Sequence, residues 1–151
     1  MAGAYDLNAD ATKVLFVDAA GTPLVAAGAT EKVQQRELIP VTATAAAGSG
    51  VTLTIPAPAA GVFNYLQYLS IVLYAAAALT AAATPNLVTT TNLPGNPVFT
   101  FPTAGAIGTI TEEKYEGGVP IKGSAAATSI TVVCPAFTSG IWRVNAAYFR
   151  A

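Results

Sequence analysis

Residues 62–84 read VFNYLQYLSIVLYAAAALTAAAT, without one charged side chain. A helix of about 20 apolar residues crosses a bilayer, so this stretch decides between a membrane segment and a buried strand. Its first half favours the strand. Tyr65, Tyr68, Ile71, Val72 and Tyr74 belong to the residue types that fit a pleated, half-buried surface. Pro56 and Pro58 lie just upstream and Pro85 just downstream. No Lys or Arg flanks either end, although orientation in a membrane relies on such residues. The second half, AAAALTAAA, is only weakly apolar. The expectation is a core strand over 64–74 entering an Ala/Thr-rich connection, with no membrane partner. Asn64, Gln67 and Ser70 resist this reading, because their three-residue spacing fits neither the strand nor the helix period.

Outward from this stretch, short runs with strand character recur between Gly, Pro and Asn. In GVTLTIPAP, Val51, Leu53 and Ile55 alternate with Thr52 and Thr54, giving one apolar and one hydroxylated face. VTATA after Pro40 reads as extended. NLVTTTNLPGNPVFTFP gives two runs around a Pro-Gly-Asn turn, and AIGTITEEKYEGG gives another that ends in a charged loop. TSITVVC places Ile130, Val132 and Cys134 on one side. GIWRVNAAYFR places Trp142, Val144, Ala146 and Tyr148 on one side, and Ile141, Arg143, Asn145, Ala147 and Phe149 on the other. Regular short strands with turn signals between them predict an all-β sandwich or barrel.

Composition narrows the function classes. Ala (32) and Thr (19) make up about a third of the 151 residues, and only 15 residues are charged, well under half the usual fraction. Eight of those charges lie in residues 1–37, and none lies between Glu37 and Glu112. The outside is expected to be Thr, Ser, Asn and Ala, with part of it meeting other protein. The net charge of −1 provides no basic field for nucleic acid. His is absent and Cys134 is the lone cysteine, so catalytic sets that need imidazole and the usual zinc, haem or iron–sulfur ligand sets are missing from one chain. Neither a cofactor nor enzymatic activity is expected. Cys134 reads as a small buried apolar residue.

Residues 1–12 are small and polar, and MAGAYDLNADATK has no secretory signal character, so assembly in a cytoplasm is expected. Val14, Leu15, Phe16 and Val17 form a short β-rich run before the turn AAGTP, and Leu24-Val25 would return it. Residues 1–37 are therefore read as an arm or hairpin, and 38–151 as the sandwich domain.

Four features invite a site. TEEKYEGG (111–118) holds Glu112, Glu113, Lys114 and Glu116. Paired carboxylates serve acid–base chemistry or hold calcium, which would make a hydrolase. On a strand, however, Glu112 and Glu113 point to opposite faces, and Gly117-Gly118 suits a solvated hairpin tip that contacts a partner. Arg143 beside Trp142 is either an interface anchor or the outer neighbour of a core Trp. Tyr65, Tyr68 and Tyr74 would stack on sugars or pack at the core and rim. AAGTP and AAAGSG lack the context of phosphate loops.

VTLTIPAPAAGVFNYLQYLSIV (51–72), PVFTFPTAG (97–105) and SITVVCPAFTSGIWRVNAAYFRA (129–151) carry a resemblance covering roughly 38–151. In this region the chain resembles a family of small β-sandwich proteins encoded with the structural genes of tailed bacteriophages, namely capsid decoration (cement) proteins and related virion accessory proteins. It departs from them in the Ala-rich 75–83 connection and the charged 111–118 segment, and residues 1–37 have no counterpart. The fold expected is an all-β, jelly-roll-like antiparallel β-sandwich with an extended N-terminal arm or hairpin. The resemblance implies a non-enzymatic protein on the capsid exterior of a virion. It would be a homotrimer bridging major capsid protein subunits, touching neither nucleic acid nor membrane. Tyr5, Leu7, Val14, Leu15, Phe16, Val17, Glu112, Glu113 and Arg143 are the expected partner contacts. A tail or head-fibre component that binds host glycan is the alternative.

Overall fold

The computed structural model describes residues 37–80 and 84–151. The expected arm, with Tyr5, Leu7, Val14, Leu15, Phe16 and Val17 as contacts, lies outside the described residues.

The Thr/apolar alternation read above builds strands throughout. They are β1 (Ile39–Thr44), β2 (Val51–Ile55), β3 (Asn64–Ala75), β4 (Asn86–Thr91), β5 (Val98–Phe101), β6 (Ile110–Lys122), β7 (Ile130–Cys134) and β8 (Gly140–Arg150). They form two antiparallel four-stranded sheets, ordered β1-β8-β3-β6 and β2-β7-β4-β5. The fold is an all-β antiparallel sandwich.

The pairing has a simple logic. β1 pairs with β8, β2 with β7, β3 with β6, and β4 with β5. The eight described strands thus make one long hairpin whose two arms stay paired while the ribbon folds over. The β3–β8 and β4–β7 pairs join successive folds of the ribbon side by side. The hairpin closes at the turn between β4 and β5, where Gly95 has φ 75° and Asn96 φ 42°. Those left-handed angles suit Gly and Asn.

The core lies between the sheets. Leu53 and Ile55 from β2, Val132 from β7 and Val144 from β8 are buried, and each such side chain stabilises the fold by about 1.5–3 kcal/mol. Trp142 is fully buried and meets Phe101 edge-on, with ring centroids 5.0 Å apart and planes at 87°. Its indole N–H donates to the Pro135 carbonyl at 2.8 Å, which satisfies the one polar group this large side chain takes inside.

The stretch 64–75 is a core strand, and its odd polar spacing has a cause. Leu66 lies opposite Tyr148 but Tyr68 lies opposite Ala147, so Gln67 is one extra residue on β3, a β-bulge. Before it, Asn64 and Leu66 face inward; after it, Leu69, Ile71, Leu73 and Ala75 do. The bulge switches the alternation from even to odd residues. Ser70 thereby falls on the outer face, and Gln67 is free to donate to the Gly117 carbonyl at 2.7 Å.

One expectation fails. Residues 111–118 are not a hairpin tip, because β6 runs on from Ile110 to Lys122 along the edge of the first sheet. Against β3, Leu66 pairs with Ile121 and Tyr68 with Glu116, so residues 117–120 bulge out opposite Gln67. The Tyr115 hydroxyl crosses this bulge to the Val119 carbonyl and fills the space a Cβ on Gly117 would need. Gly-Gly therefore marks a bulge inside a strand. The bulge, Pro120 and the charges of β6 blunt a long exposed edge that would otherwise invite strand addition.

Candidate functional site

The outward faces of the two sheets differ in chemistry. On the first sheet, rows of residues run across the strands. Arg143, Val72 and Glu112 form one row, Asn145, Ser70 and Lys114 the next, and Ala147, Tyr68 and Glu116 a third. Buried Ser70 donates its hydroxyl to Glu112 Oε1 at 2.8 Å. Lys114 Nζ lies 3.4 Å from Glu112 and 3.9 Å from Glu116. The hydrogen bond and charge of Glu112, with that of Glu116, hold the Lys114 amine above its ordinary 10.5. Exposed pairs of this kind add little stability, but they keep β6 hydrated.

Glu112 and Glu113 do not converge. Glu112 lies across from Val72 on the outer face, and Glu113 across from Ile71 on the inner side of the edge strand. Among the described residues no group of three His, Cys, Asp or Glu side chains is placed to hold a metal.

Arg143 is on the outer face, and Trp142 beside it is core. Tyr65 stacks on Phe149 with ring centroids 5.0 Å apart and planes 4° from parallel. This stack explains why Phe149, an outward residue by alternation, is buried. One face of Tyr65 is thereby used inside the protein, as core and rim packing would have it, and is not offered to a sugar. Lys122 Nζ sits 3.7 Å over the Phe63 ring, a cation–π contact.

The second sheet turns a different face outward. β2 gives Thr52 and Thr54, β7 gives Thr131 and Val133, β4 gives Leu87, Thr89 and Thr91, and β5 gives Val98 and Thr100. Six of these nine side chains are threonine and none is charged. Thr91 and Thr131 hydrogen-bond to each other through their hydroxyls at 2.7 Å, so part of the hydroxyl surface is already satisfied. Leu87 and Val98 are about half exposed, at 45% and 52%, and Val133 is 38% exposed.

The chain matches no protein-family model, and no curated protein is significantly similar to it. The two faces therefore carry the functional argument alone. Sequence reasoning found the outer position of Arg143 and the divergence of the two glutamates. It anticipated an uncharged outside of Thr, Ser, Asn and Ala but did not gather it onto one sheet, because the charge-free span between Glu37 and Glu112 supplies β1 and β3 of the first sheet as well as β2, β4 and β5 of the second.

Cys134 lies on the inner side of β7, and burial pushes its thiol from 9.0 up to about 12. A neutral thiol is a poor nucleophile, so at pH 8 Ellman's reagent is expected to label the native protein only as fast as it unfolds. The thiol's contribution to stability is full below pH 9, where both states keep the proton. It is lost as pH rises from 9 towards 12, at about 1.4 kcal/mol per pH unit. Urea titrations of the wild type and Cys134→Ala over that range check this, because the variant should lack that part of the slope.

Proposed function

We propose that this protein is a non-enzymatic virion structural protein, a capsid decoration (cement) protein that bridges major capsid subunits. The observation that carries the reading is the uncharged Thr/Val/Leu face of the β2-β7-β4-β5 sheet. Interface cores are depleted of charge relative to the remaining surface, and this face is depleted completely while the opposite one holds the charges of β6 and β8. The strand order supports the same reading. A hairpin ribbon folded so that β1 meets β8 and β4 meets β5 is compatible with the winding proposed here, that of a jelly roll, an architecture recurrent in viral capsid domains. In this reading the face sits on the shell or on a neighbouring copy in a trimer, on the outside of the capsid. Many weak contacts repeated over a shell combine by avidity.

The test is co-sedimentation of the purified protein with shells of the major capsid protein made in the same host cell. Saturable binding at a fixed ratio to capsid subunits is expected, and a protein that stays in the supernatant at every concentration would overturn the reading. Removing residues 1–37 should leave a β-rich, folded sandwich by circular dichroism that no longer pellets with shells. If the truncated protein binds fully, the arm has no part in attachment.

A further inference from the structure

The outward face of the first sheet also carries a cleft of about 320 Å³ where β8 begins, lined by Val72, Tyr74, Ile110, Ile141 and Arg143. Two rows build it. Ile141, Tyr74 and Ile110 lie side by side across three strands, and Arg143 and Val72 form the next row on the same face. Ile110 is 65% exposed and Tyr74 38%, so the cleft is an open apolar trough with one cation on its wall.

That cation has no counter-charge among the described residues. The carboxylate in its row is Glu112, on the far side of Val72, and Glu112 is held by Lys114 and Ser70. A guanidinium beside an apolar trough is a fork for a carboxylate. Glu112 and Glu116 on β6, across β3 from Arg143, would repel a multiply charged anion such as a nucleic acid backbone. They leave room for one carboxylate on the Arg143 side.

We propose that this cleft binds an extended peptide segment of the partner protein that carries an Asp or Glu and, two residues along, an aliphatic side chain. The carboxylate pairs with Arg143, and the aliphatic group lies over Tyr74 between Ile110 and Ile141. The spacing follows from strand geometry. The two rows are two residues apart on each strand, about 6.6–6.8 Å, and an extended peptide presents its residues i and i+2 on one side at the same interval. The inference rests on the cement reading only for which protein carries the segment.

The probe is acetyl-Thr-Asp-Thr-Leu-Thr-amide, titrated onto the isotope-labelled full-length protein and followed by NMR. Saturable shifts are expected at the Val72, Ile110 and Ile141 methyls and at the Arg143 side-chain N–H, with a dissociation constant on the order of 1 mM. Replacing the peptide's Asp by Asn, or using Arg143→Gln protein, should each weaken binding roughly tenfold. Replacing its Leu by Ser should do the same. Arg143 is exposed, so Arg143→Gln should melt at the wild-type temperature, which separates lost binding from lost folding. Absence of shifts overturns the proposal, and so does equal binding of the Asn peptide. It is also overturned if the same methyls shift with protein concentration alone, because a second copy then fills the cleft. Co-sedimentation distinguishes the two readings. Peptide binding without shell binding sinks the cement reading and keeps the cleft, whereas shell binding undisturbed by Arg143→Gln, with no peptide binding, does the reverse.

Discussion

Val133→Glu is expected to weaken attachment to shells roughly a hundredfold, about 3 kcal/mol, while leaving the protomer folded. Val133 is outward on β7, between Thr52 of β2 and Thr89 of β4, at the centre of the uncharged face. In the free protein a glutamate there reaches water, and an exposed strand position tolerates the change within about 0.5 kcal/mol. In the complex it would be a buried carboxylate with no cation opposite, which costs several kcal/mol unless it is paired. Val133→Thr is the control, since it matches the surrounding threonines and should bind within about threefold of wild type. Co-sedimentation isotherms of the three proteins, with melting temperatures alongside, give the answer. Equal binding by wild type and Val133→Glu would mean that this face does not meet the shell.

Trp142→Ala should cost about 3–5 kcal/mol of folding stability, a large part of the 5–15 kcal/mol typical of a domain. Three losses coincide. The fully buried indole leaves a cavity between the sheets, the edge-on contact with Phe101 disappears, and the Pro135 carbonyl loses its donor. Trp142→Phe keeps most of the ring and loses the N–H, so it should cost less, about 1–2 kcal/mol. Urea unfolding followed by circular dichroism measures both. A Trp142→Ala cost below about 1 kcal/mol would show that the strands close over the gap, contrary to a core this densely packed.

Each strand was foreshadowed in the sequence by alternation or by turn residues. VTLTI, SITVVC and GIWRVNAAYFR place one apolar set at every second residue, and the structure buries those sets, with Phe149 buried besides on the other face of β8. The errors fall where the backbone leaves that period. Gln67 reads as an anomaly in a strand because a bulge admits one extra residue, and its partner strand supplies the reason. Gly117-Gly118 reads as a tip because the same dipeptide suits a hairpin turn and an edge bulge. Only the pairing of Tyr68 with Glu116 tells the two apart.

For the candidate sites, parity alone separated Glu112 from Glu113 and put Arg143 outside. It did not show that Glu112 is held by Lys114 and Ser70 while Arg143 has no carboxylate beside it among the described residues. Those facts depend on which strands are neighbours, and β3, β6 and β8 meet across long separations in the chain.

By itself, then, the sequence determined the all-β class, the approximate places of the strands, the inward faces of β2, β7 and β8, and a charge-free span from Glu37 to Glu112. Period-two burial and residue chemistry are local, and a local pattern is legible along a chain. The tertiary structure alone decided that four uncharged strands, β2, β7, β4 and β5, make up one sheet, while β6 and β8, which carry the charges, join uncharged β1 and β3 in the other. Sheet membership is set by ribbon winding and by non-local pairing, neither of which leaves a mark on neighbouring residues.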